Sequence, residues 1–136
     1  LTRPFPGAEG ALAALRDAGC ALGVCTNKPA GATREILEAL ALAPLFSAVA
    51  GGDTLPGVRK PDPRHLMHVL DALGVAAKDA VMVGDSHNDV NVAKAAGVPT
   101  VAVTFGYAHG PVHDLGADVL IDHFDDLVPA LLRMAR

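Results

Sequence analysis

Short apolar runs trade places with stretches of helical period along the whole chain. Ala8–Ala18 (AEGALAALRDA) spaces its apolar residues along one helical face and runs into Gly19, which suits a C-terminal cap. Cys20–Cys25 (CALGVC) reads as a strand, closed by the polar turn Thr26-Asn27-Lys28-Pro29. Pro29 suits the start of a helix, predicted over Ala30–Leu42. Phe46–Gly51 predicts a second strand, broken by Gly51-Gly52-Asp53. A loop dense in Pro, Gly and charge runs from Leu55 to Pro63, and the helix predicted over Arg64–Leu73 ends at Gly74. Ala80–Val83 is a fully apolar strand halted by Gly84-Asp85-Ser86. A helix over Asn88–Ala96 is capped by Gly97, and Val98–Val103 gives the next strand. Val119–Ile121 is a last short strand, and Asp125–Met134 the closing helix, with Asp125 and Asp126 where the helix dipole favours acids.

Fully apolar strands separated by helices predict a parallel sheet covered on both faces, a Rossmann-like three-layer α/β/α fold. The 136 residues suit one domain, spanning 1–136, without internal repeats. At 51% hydrophobic and 19% charged, the chain can bury a core. Its net charge of −4 supplies no basic stripe, so no nucleic-acid partner is expected. A small anion remains a possible ligand, because a local pocket sets the potential that its ligand feels. No apolar stretch reaches the roughly 18 residues of a membrane span, and nothing resembles a secretion signal. Cys20 and Cys25 read as small buried hydrophobes in a reducing compartment, which makes the cytoplasm the expected location. The first residue is Leu1 rather than Met, which predicts that the natural N-terminus lies elsewhere.

Ligands of open parallel sheets bind beyond the carboxyl ends of the strands, so polar residues directly after apolar runs carry the candidate chemistry. Thr26 and Asn27 follow the first strand, where a hydroxyl and free backbone N–H groups can cradle a phosphate; they serve equally well as an N-cap pair. Lys60 stands in Arg59-Lys60-Pro61-Asp62-Pro63, where prolines stiffen the backbone that aims its ammonium. The plainer alternative is a solvated turn with Asp62 capping the next helix. Asp85 follows the buried Ala80–Val83 run, and Asp89 lies four residues on, in the first helical turn. Two hard carboxylates converging on one point suit Mg²⁺, which needs only one or two of them; the alternative is a Gly-Asp turn with Asp89 complementing the dipole. The histidine pairs His65/His68 and His109/His113 lack a third ligand, so structural zinc is not expected. Tyr107 follows a strand and either touches a ligand or packs its loop.

Taken in order, Thr-Asn after a strand, Lys-Pro, and Gly-Asp-Ser-x-Asn-Asp after a strand resemble the second, third and fourth motifs of the haloacid dehalogenase superfamily. The stretches Pro4–Gly7, Thr26–Pro29, Gly51–Asp53, Lys60–Pro63, Gly84–Asp89 and Gly106-Tyr107 look most similar to its bacterial phosphoglycolate phosphatases. The resemblance implies a Mg²⁺-dependent phosphatase core acting on a small phosphorylated acid such as 2-phosphoglycolate, through a phospho-aspartate. It implies that Thr26 and the Asn27 backbone N–H hold phosphoryl oxygens, and that Lys60 neutralises charge on the phosphoryl group and the nucleophile. Asp85 would ligate Mg²⁺, and Asp89 would hold the metal or its water, or orient Lys60.

The family's Asp-x-Asp nucleophile segment and its substrate-selecting cap have no counterpart in these 136 residues. In the family, the strand carrying the nucleophile lies between those read here as Cys20–Cys25 and Ala80–Val83. The expectation is therefore a core lacking its first strand, with a gap to be filled by a segment of a longer chain, by a neighbouring chain such as a second copy, or by altered strand pairing. The alternatives are an inactive phosphate-binding fragment, or the core of a related phosphomutase or pyrophosphatase.

Overall fold

The computed structural model describes residues 7–84, 86–103 and 116–134. Asp85, Gly106, Tyr107, His109, His113 and the Pro4–Pro6 stretch lie outside them. Helices and strands alternate as α1 (Ala8–Asp17), β1 (Gly23–Cys25), α2 (Ala30–Ala39), β2 (Ala48–Ala50), α3 (Pro63–Leu73), β3 (Met82–Gly84), α4 (His87–Ala96), β4 (Thr100–Val103), β5 (Val119–Ile121) and α5 (Leu127–Met134).

All strand pairing is parallel, in two groups. β1 pairs with β2 (Val24 opposite Val49), while β4 lies between β3 and β5 (Val83 opposite Val101, Ala102 opposite Leu120). The alternation of β4 shows why helices cover both faces. Val101 and Val103 enter a cluster with Ala11 and Leu15 of α1 and Leu127 and Ala130 of α5, whereas Ala102 between them meets Val90 of α4. On that second face, Leu66 and Leu70 of α3 join Val92 and Ala93 of α4, and both Cys25 and Met82 pack against this cluster. One apolar core thus bridges the two strand groups. The three-layer α/β/α arrangement inferred from the apolar pattern is the one observed.

Among the described residues, no strand lies between β1 and β3, and the two do not pair with each other. Val24, Cys25, Met82 and Val83 are only half-buried, whereas every residue of β4 is buried. Among the described residues, the facing edges of β1 and β3 thus carry no ladder partner.

The strands are shorter than their apolar runs. Cys20 and Ala21 are exposed and precede the ladder, and Pro99 has no N–H to give one, so β4 begins at Thr100. The second helix ends at Ala39, three residues short of Leu42: Ala41 takes a positive φ of 59°, and a separate 3₁₀ turn over Ala43–Leu45 follows. Asp125 and Asp126 sit in a 3₁₀ turn before α5 rather than inside it, and both are exposed, as solvated charge should be.

Candidate functional site

Three loops meet at the carboxyl ends of β1, β2 and β3 and enclose an open cleft of about 390 Å³. Thr26, Asn27 and Lys28 line it from the first loop, Arg59 and Lys60 from the second, Ser86 from the third, and Asn88 and Asp89 from the first turn of α4 that follows it. Thr26, Asn27, Lys60 and Asp89, singled out from the sequence, therefore converge. Asp85 lies outside the described residues. Lys28, Arg59, Ser86 and Asn88 were not singled out. Ser86 could have been found from its place three residues before Asp89, a capping spacing; an exposed Lys28 or Arg59 looks like any surface cation until the loops are folded together.

Glycines permit the loops to approach so closely. A Cβ on Gly51 would lie 2.3 Å from the Ala30 nitrogen, and one on Gly52 would lie 2.2 Å from the Asn27 carbonyl oxygen. Two side chains then stitch this junction. Asp53 Oδ1 accepts from the Ala30 N–H at 2.8 Å, capping α2 from a neighbouring loop. His65, fully buried in α3, donates from Nε2 to the Gly51 carbonyl at 3.0 Å. Its Nδ1 has no partner among the described residues, and burial holds its pKa below the ordinary histidine value. His65 is thus a neutral core histidine that pins a loop.

Lys60 is held at both ends. Its backbone N–H donates to Asn27 Oδ1 at 2.8 Å and its carbonyl accepts from Asn27 Nδ2 at 3.1 Å, so one amide side chain grips the Lys60 peptide units as a neighbouring strand would. The Lys60-Pro61 peptide is cis. At its far end, Lys60 Nζ is in direct contact with Asp89 Oδ1, and only about a tenth of each side chain is exposed, 11% and 10%. Asp89 is placed in turn by α4: Ser86 caps the helix by accepting the Asp89 N–H at 3.3 Å, and its hydroxyl donates to Asp89 Oδ2 at 3.1 Å. Gly84 makes room for this carboxylate, since a Cβ there would lie 2.3 Å from Asp89 Oδ2.

Thr26 sits at the end of β1, its hydroxyl accepting the Lys28 N–H at 3.2 Å; its own O–H hydrogen can still be donated. Of the plainer reading of the Lys60 segment the structure shows the Asp62 cap but not a solvated lysine, since only 11% of the Lys60 side chain is exposed. Asp62 caps α3 by accepting the Arg64 N–H at 3.0 Å, and its ion pair with Arg64 lowers its pKa, while Lys60, two residues earlier, faces the cleft. Cys25 is no rival nucleophile: burial, only partly offset by Lys60, pushes its thiol up to about 11, so it stays protonated at neutral pH.

Among the described residues, no group of three His, Cys, Asp or Glu side chains forms a metal cluster. The oxygens present are hard donors of the kind Mg²⁺ takes, and a site needing one or two carboxylates is compatible with Asp89 beside the loop that carries Asp85. No helix among the described residues is long and apolar enough to cross a membrane.

Residues 1–103 match the family model described as haloacid dehalogenase-like hydrolase. The chain is 54% identical over 123 residues to a phosphoglycolate phosphatase of Rhodospirillum rubrum, covering 90% of this chain and 51% of that protein. It is 46% identical over 131 residues to the enzyme of the same name from Caulobacter vibrioides, covering 96% and 55%. Among solved structures, a predicted phosphoglycolate phosphatase from Haemophilus somnus superposes with a TM-score of 0.88 at 34% identity, over 93% of this chain and 56% of that one. A putative β-phosphoglucomutase from Thermotoga maritima gives 0.86 at 27% identity, over 98% and 62%. The chain therefore spans little more than half the length of the relatives it matches.

Proposed function

Since the chain belongs to the haloacid dehalogenase-like hydrolases, we propose that it is the core of a Mg²⁺-dependent phosphatase acting on a small phosphorylated acid, 2-phosphoglycolate being the best candidate. The observation that carries this is the Lys60 ammonium, gripped by Asn27 and set against Asp89, in the same cleft as the Thr26 hydroxyl. Phosphoryl transfer asks a protein mainly for positioning and for charge to stabilise the equatorial oxygens. Lys60 supplies that charge from a desolvated position, where it acts more strongly than in water. Thr26 donates its O–H to a phosphoryl oxygen, helped by the Asn27 backbone N–H. Asp89 orients Lys60, and Ser86 orients Asp89.

Asp85 together with Asp89 would hold Mg²⁺, which when bound adds positive charge beside the phosphoryl oxygens. The acceptor carboxylate belongs on a strand filling the gap between β1 and β3, supplied by a longer chain or a second copy; the half-buried apolar edges of both strands support this. A cytoplasmic setting accords with the two free cysteines. The relatives named phosphoglycolate phosphatase support the choice of substrate.

Phosphate release from 2-phosphoglycolate by the full-length protein, with Mg²⁺ and with EDTA, tests this. Turnover that needs Mg²⁺ and collapses in Lys60→Ala is the expected result. No turnover, or turnover indifferent to Lys60, refutes it.

A further inference from the structure

The cleft collects positive charge in a chain that carries net −4. Lys28, Arg59 and Lys60 line it against a single described carboxylate, Asp89, which is already matched to Lys60. Lys28 and Arg59 are exposed and make no ion pair among the described residues. Bringing two cations that no described carboxylate pairs with to one rim is unfavourable by itself and becomes favourable when an anion arrives.

Arg59 is moreover held in place. Its Nη2 donates to the Asn27 carbonyl at 3.0 Å, and its Nε lies where a Cβ on Gly52 would come within 3.1 Å, so the absence of a side chain at Gly52 leaves room for the guanidinium. That bond uses one of five N–H donors. The planar fork of the others matches the two oxygens of a carboxylate. Fixing a long side chain at a wet rim costs rotamer entropy, which a single bond to a carbonyl repays poorly.

We propose that Arg59 and Lys28 form a second anion subsite at the rim, which binds the carboxylate of a phosphorylated acid whose phosphoryl group sits deeper, at Thr26 and Lys60. The inference rests on the phosphatase reading above and adds to it the residues that select a substrate bearing a second negative charge.

The test uses the full-length protein and two substrates: 2-phosphoglycolate, and phosphoglycolamide, in which a neutral amide replaces the carboxylate. The ratio of their kcat/KM values is measured for the wild type, Arg59→Gln, Arg59→Lys and Lys28→Gln, with thermal midpoints to verify folding. The expected result is a wild-type preference for the carboxylate that falls about tenfold in Arg59→Gln, mostly through KM, and severalfold in Lys28→Gln, as removal of one charge-assisted hydrogen bond predicts. Arg59→Lys, which keeps the charge and loses the fork, falls in between. Equal losses on both substrates would mean that Arg59 only braces Asn27, and would overturn the inference, as would an unchanged ratio in both Gln variants. A wild type that hydrolyses neither compound overturns the phosphatase reading and the inference together, whereas turnover with an unaltered ratio overturns the inference alone.

Discussion

Replacing Asn27 by alanine separates two roles that the residue could have. If Asn27 acts only through its backbone N–H, as the family resemblance implies, truncating the side chain changes little. The structure gives the side chain a task of its own, two hydrogen bonds of 2.8 and 3.1 Å to the backbone N–H and carbonyl of Lys60. Each is worth about 0.5–1.5 kcal/mol net, and both are half-buried, so Asn27→Ala should lower the unfolding free energy by about 1–3 kcal/mol. Because the same bonds set where the Lys60 ammonium lies, kcat/KM should fall by about ten- to a hundredfold. Asn27→Asp is the sharper variant. One oxygen still accepts the Lys60 N–H, but the other replaces a donor and opposes the Lys60 carbonyl, so this near-isostere should fare no better than alanine. Urea unfolding and steady-state phosphate release by the full-length protein measure both effects. Asn27→Ala with wild-type midpoint and rate would refute the clamp.

Other consequences follow from the same contacts. Lys60→Ala should reduce kcat/KM by at least about a hundredfold; leaving the Asp89 carboxylate nearly buried without its cation should also cost about 1–3 kcal/mol in unfolding free energy, less than for a fully buried pair. Gly84→Ala drives a Cβ into Asp89 and should abolish most activity while leaving the far-UV circular dichroism near wild type; an active Gly84→Ala enzyme would contradict the placement of Asp89. His65 has a folded pKa below its unfolded value. Below about pH 6.5 the unfolded chain takes up a proton that the folded one resists. Its contribution is therefore fully present above that pH and is lost as pH falls toward the folded pKa. Unfolding free energies between pH 8 and 5 should drop in the acid range, and His65→Gln should flatten the drop; a slope unchanged by the substitution would show that other groups cause it.

Much of the fold was legible because burial on two faces forces continuous apolar runs such as Ala80–Val83 and Val98–Val103, and because Gly19, Gly74 and Gly97 mark where helices stop. Ladder ends were not legible, since apolar residues outnumber paired ones: Cys20 and Ala21 look like strand yet stand in solvent. Thr26, Lys60 and Asp89 could be read as a site because each follows a strand or a stiff turn. The Asn27 clamp could not, because an amide 33 residues away in sequence from Lys60 carries no local signal. His65 shows the converse. Its spacing to His68 invites a metal reading, while its complete burial against the Gly51 carbonyl makes it part of the core.

The central claim is that the loops after β1, β2 and β3 hold one phosphoryl group between Thr26 and Lys60. A crystal structure of the full-length protein with inorganic phosphate and Mg²⁺ tests it most directly. Phosphate oxygens within hydrogen-bond distance of Lys60 Nζ and Thr26 Oγ1 are the predicted result. Phosphate bound elsewhere, with Lys60 and Thr26 left untouched, would contradict it.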